Sequence, residues 1–183
     1  DATDLKETIT CENADLPARC CKLFYAALGP EFPVLGGTND WTKAYRQVPV
    51  CELRYNVIAI WNPYERHVDF FVVIGHVFGS AAAVNNFNAV AKFMNAMCRR
   101  FFCICGGHYY DDQLICEPES TVHFAQFCEV RLYNAIGWWL DPKKNVKAQV
   151  CFPFLGVVTD WSTYRFGYVL IRVTKERALR LKQ

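Results

Sequence analysis

Ten cysteines in 183 residues constrain this chain more than any other feature. They stand at Cys11, Cys20, Cys21, Cys51, Cys98, Cys103, Cys105, Cys116, Cys128 and Cys151. An even number spread over most of the length reads as a framework of structural disulfides, which persist in an oxidising compartment. The expectation is therefore a secreted, extracellular protein. Zinc sites use close pairs such as C-x2-C, with a second pair a dozen or more residues away. The close pairs here are Cys20-Cys21 and Cys103-x-Cys105, so no metal site is expected. Cys20 and Cys21 point in different directions and should find different partners. The remaining connectivity is not readable.

A chain of this length buries about 70% of the surface that its unfolded form exposes, so it can build a core without bridges. Hydrophobic residues make up 52% of it and aromatic residues 15%, which excludes a disordered segment and favours a β-rich domain. A net charge of +2 with no stripe of Lys and Arg argues against a nucleic-acid partner. No run of 18 apolar residues occurs, so no membrane span is expected. Asp1-Ala2-Thr3-Asp4 reads as the start of a mature chain.

The expected organisation is one domain over 1–183. Residues 1–49 read as an irregular, disulfide-pinned arm, with a short helix over Ala18 to Leu28 ended by Gly29-Pro30 and a break at Gly36-Gly37. Residues 50–175 read as an antiparallel sheet with one inserted helix, and 176–183 as a basic tail. Leu53 to Trp61 and Val68 to Phe78 flank the turn cluster Asn62 to Arg66, a hairpin signal. The second arm is too apolar for a solvated face and predicts burial on both sides. Ala83, Val84, Phe87, Val90, Ala91, Met94, Met97 and Cys98 recur at helical spacing, which predicts an amphipathic helix over about 81–99 with Ser80 as N-cap. Val122 to Tyr133 alternates and predicts a strand. Ile136 to Leu140 and Val146 to Phe152 predict a hairpin about Asp141 to Asn145. The fold class is thus α+β and β-rich, a curled antiparallel sheet or barrel braced by disulfides.

Two patches carry a resemblance. Gly37-Thr38-Asn39-Asp40-Trp41, followed by Cys51 and Tyr55, resembles the opening Gly-x-Trp strand of lipocalins and the Cys-x-x-x-Tyr after it. Thr159-Asp160-Trp161-Ser162-Thr163-Tyr164 is similar to their Thr-Asp-Tyr-x-x-Tyr turn, with Trp161 in place of tyrosine. Arg172 resembles the arginine that packs over the opening tryptophan. The resemblance implies a barrel that transports an apolar ligand.

No reaction signature is present: no Gly-x-Ser-x-Gly, no Gly-rich phosphate loop and no His-Glu-x-x-His. His67 beside Glu65 and Asp69 reads as a solvated turn, and His76 as a core histidine. Glu117 and Glu119 flank Pro118 and do not form a glycosidase pair. The expected function is to bind a small apolar ligand in an aromatic-lined cavity, with Tyr55, Trp61, Phe71, Phe124, Trp138, Trp139 and Tyr168 as candidate ligand-binding residues and no cofactor. The alternative is a secreted effector that binds a protein such as a receptor or cytokine. A third reading is an extracellular hydrolase using His108 and the acids Asp111 and Asp112.

Overall fold

The computed structural model describes residues 11–180. The expected mature start at Asp1, and the last residues of the basic tail, lie outside them. Helix α1 (Leu16–Leu28) opens the described chain, with Pro17 in its first turn and Gly29 at φ 87° ending it. Strands β1 (Val34–Asp40), β4 (Gly106–Tyr109), β5 (Asp112–Pro118) and β6 (Val146–Gln149) form a sheet in the order β4-β5-β1-β6, paired antiparallel throughout. Strands β2 (Val57–Asn62) and β3 (His67–Val72) form a separate two-stranded ribbon, pairing with no other strand among the described residues. Strands β7 (Cys151–Phe154), β8 (Val157–Asp160) and β9 (Leu170–Val173) form a third antiparallel sheet.

The four-stranded sheet is covered on both faces, and alternation along its central strands shows how. Leu35 and Ile115 enter a core with helix α2 (Ala81–Phe102) and helix α3 (Val122–Ala135). Their neighbours Val34, Leu114 and Cys116 enter a second core with α1, Phe152, Phe154, Trp161 and Tyr164. Helix α2 turns Ala83, Phe87, Ala91, Met94 and Cys98 inward at spacings of three and four. Fully burying Phe87 or Met94 contributes about 1.5–3 kcal/mol each. The helix stops where Cys103 takes φ 55°, its amide bonding back to the Arg99 carbonyl at 3.1 Å. A short helix α4 (Lys175–Arg180) follows β9.

The α+β, antiparallel expectation holds, and so do α1, α2 and the β2–β3 hairpin. The barrel does not: three separate sheets form and none closes. Among the described residues four α-helices form, against the short helix and the one inserted helix expected. Residues 122–133 are helical, with Val122, Ala125, Cys128, Glu129 and Tyr133 buried at helical spacing. The apparent alternation arose because exposed Phe124 and half-buried Val130 and Leu132, all outside that stripe, fall on the same parity as Val122 and Cys128. The stretch read as an irregular arm contains β1, a central strand. Gly36 and Gly37 do not break it; they let Phe152 and the Gln126 side chain pack directly onto the backbone. Val146 to Phe152 is two strands in two sheets, β6 against β1 and β7 against β8, and not one arm of a hairpin with 136–140. The expected disulfide bracing is not seen: no two cysteines stand at disulfide distance.

Candidate docking surface

The β2–β3 hairpin projects from the body. At its root, the Val50 amide donates to the Ile74 carbonyl at 2.9 Å and the His76 amide to the Val48 carbonyl at 3.1 Å. Asn56 adds a 2.9 Å bond to the Gly75 carbonyl. Gly75 is required there, because a Cβ would strike the Arg46 carbonyl. At its tip, the Asn62 carboxamide oxygen accepts from the amides of Tyr64 (3.1 Å) and Glu65 (3.2 Å), and Arg66 takes φ 54°. His67 Nε2 lies 2.7 Å from Asp69 Oδ1 and 3.5 Å from Glu65 Oε2, an exposed cluster as the sequence implied.

Cross-strand register places Val57, Val72, Ala59, Phe70, Trp61 and Val68 on one face of the ribbon, and Ile58, Phe71 and Ile60 on the other. Both faces are exposed: Phe70 is 72% accessible, Trp61 58% and Ile60 51%. Among the described residues no strand pairs with either outer edge. Among the described residues the burial on both sides predicted for Val68 to Phe78 is therefore not supplied. The sequence of a fully enclosed strand pair stands in solvent, where such a ribbon is marginally stable at best.

The seven aromatic residues expected to line one cavity are dispersed. Trp61 and Phe71 are on the ribbon, and Tyr55 sits at its base beneath the Arg54 guanidinium, 4.7 Å from the ring centroid. Phe124 is on the outer side of α3 and Tyr168 stacks on Phe166 at 6.3 Å. Trp138 packs edge-on against buried Trp41 at 5.5 Å. The backbone of Trp139 is clamped by the Gln47 side chain at 2.7 and 2.8 Å, leaving its ring exposed. None of the seven lines the five best-formed concavities, all open grooves, of which the largest holds about 550 Å³ between α3 and β6.

Composition and periodicity missed a polar layer inside the core. Glu129 is fully buried on α3 and accepts from Asn39 of β1. Burial pushes its carboxyl up to about 8, against the pull of these hydrogen bonds. Gln113 donates to Asn95 Oδ1 at 2.6 Å, and Asn95 lies 2.6 Å from His108 Nδ1. Burial, with Lys92 and Arg99 adding to it, lowers His108 to about 4 and keeps it neutral. His108 is thus fixed in β4, apart from exposed Tyr109 and half-buried Asp111 and Asp112. His76 is half-buried and contacts Asn86 at 2.9 Å. Glu117 accepts from the Cys105 amide at 2.6 Å, which makes it a structural carboxylate, while Glu119 is exposed. Among the described residues no group of His, Cys, Asp and Glu is arranged to hold a metal ion, and no helix is long and apolar enough to cross a membrane.

No family model matches the chain, and no curated protein matches it. Its fold is similar to that of telomerase from Candida albicans in complex with a fragment of telomeric RNA, at a TM-score of 0.61 and 8% identity. The match covers 91% of this chain and 34% of that one. It is also similar to apo telomerase from Candida tropicalis truncated from its C-terminal domain, at a TM-score of 0.56 and 12% identity. There it covers 87% of this chain and 40% of that one. The chain therefore spans well under half the length of the telomerase chains it matches, and the likeness is one of fold.

Proposed function

We propose that this chain is a docking module without catalytic activity, which engages a protein partner through the β2–β3 ribbon. The observation that carries this reading is the apolar surface on both ribbon faces, beside two unpaired strand edges. An extended apolar segment of a partner can add a strand to either edge, using main-chain hydrogen bonds for affinity and the aromatic faces for specificity. Burial of Trp61, Phe70 and Phe71 would supply the aromatic anchors that dominate interface energies. A carrier of a small apolar ligand would need an enclosed apolar cavity, and the open grooves favour the surface reading over it.

The likeness to telomerase chains supports a place in a larger assembly, since there a similar fold occupies only part of a longer chain. The test is photo-crosslinking in the protein's natural source, with a reactive amino acid at Phe70 and, as a control, at Leu23 on α1. Adducts to protein at Phe70 and not at Leu23 are expected. Adducts to nucleic acid alone, or equal labelling at both sites, would overturn the reading.

A further inference from the structure

We infer that Cys20 and Cys105 are a disulfide-forming pair that locks α1 onto the central sheet. Cys20 is on the inward face of α1 and Cys105 is the residue just before β4. Their sulfur atoms are 3.7 Å apart, although 85 residues separate them in sequence. A disulfide needs about 2.05 Å, so closure asks the two sulfur atoms to approach by less than about 2 Å. Cys116 lies close to both. It faces Cys105 across the β4–β5 pair, its amide donating to the Cys105 carbonyl at 2.9 Å, and its thiol adjoins that of Cys20. The three thiols converge where α1 meets the sheet.

A groove of about 290 Å³ leads to the pair, lined by Cys20, Cys105, Leu16, Leu23, Arg99 and the Arg19–Glu12 ion pair. It gives access to a small-molecule disulfide such as oxidised glutathione. In the first step one cysteine, as thiolate, attacks a glutathione sulfur; the mixed disulfide forms and one glutathione thiolate leaves. The second cysteine thiolate then attacks the protein-bound sulfur, closes the Cys20–Cys105 bond and releases the second glutathione thiolate. The two protons lost by the protein pass to the two glutathiones, so two thiols are oxidised and one disulfide is reduced. The Cys105 thiol donates to Cys20 and favours its thiolate, but the Cys116 thiol and burial outweigh this and raise Cys20. The Cys20 contact and burial raise Cys105, so both are held protonated at neutral pH, which makes closure slow.

The experiment incubates the reduced, folded full chain with oxidised glutathione at pH about 8.5, near the pKa of a free thiol. Remaining thiols are then alkylated and the non-reduced peptides mapped by mass spectrometry. A Cys20–Cys105 linked peptide as the main product is expected, persisting in C116S and absent in C105S. Amide exchange in α1 should slow by about tenfold on closure, because local opening of the helix is then restrained. Predominance of a Cys20–Cys116 or Cys105–Cys116 link, or full alkylation of Cys20 and Cys105 while other pairs close, would overturn the inference. Since the mapping is done on the unmodified chain, a variant that fails to fold does not obscure the result.

Discussion

The ring of Phe152 occupies the space that a side chain at Gly36 would need. A fully buried aromatic of the third sheet thus lies directly on the backbone of the central strand. Gly36→Ala must displace that ring, and overpacking of this kind costs about 1–3 kcal/mol. Equilibrium urea unfolding of G36A should show a lower midpoint with an unchanged slope. A double variant, G36A with F152L, should recover part of the loss.

Trp41 gives the matching prediction for the opposite core. It is buried between Phe87 (5.3 Å), Tyr133 (4.9 Å) and Trp138 (5.5 Å). Trp41→Ala removes the hub of this cluster and should destabilise the protein by about 3–5 kcal/mol. Thermal unfolding followed by near- and far-ultraviolet circular dichroism checks it, with both signals lost at the same lowered midpoint.

Glu129 and His108 make stability depend on pH in opposite directions. The Glu129 carboxyl is raised from 4.5 to about 8, so the folded state binds an extra proton in that window and stability falls as pH rises through it. His108 is lowered from 6.5 to about 4; there the unfolded state binds the extra proton, and stability rises with pH. The two slopes offset each other between about 4.5 and 6.5, and only the Glu129 slope acts from there to about 8. Glu129→Gln should remove the loss above pH 6.5 and make the variant more stable than the parent at pH 8. Denaturant unfolding at a series of pH values measures it; a parallel decline in both proteins would refute the assignment.

What the sequence made legible follows from how cleanly each element signals its surroundings. Helix α2 announced itself because Ala83, Phe87, Ala91, Met94 and Cys98 recur at helical spacing, although Asn88 and Asn95, which the polar face was expected to carry, are buried as well. Helix α3 did not, because it turns Glu129 inward and Phe124 and Phe127 outward, the reverse of the usual pattern. Strand β1 was hidden by Gly36 and Gly37, which normally mark turns but here allow close approach from both faces. Strand β5 was obscured by Asp112, Gln113 and Glu117; Gln113 is satisfied by Asn95 of α2 and Glu117 by the Cys105 amide. The docking surface was half legible. Val68 to Phe78 signalled burial on both sides, but a sequence does not say whether its own chain supplies the cover.

That distinction sets the last prediction. Phe70 and Trp61 share one face of the ribbon and touch neither core. Replacing both with Ser should leave the body's unfolding midpoint nearly unchanged, since exposed substitutions usually act within about 0.5 kcal/mol. With the reactive amino acid moved to Val72 on the same face, the same change should remove the protein crosslinks expected at the ribbon and reduce self-association of the free chain, because an exposed apolar strand pair is also an aggregation template. Sedimentation velocity and the unfolding midpoint, measured on one preparation, separate the outcomes. A lowered midpoint would mean that the ribbon packs on its own chain in solution. Unchanged stability with abolished crosslinking would mean that its cover comes from a partner.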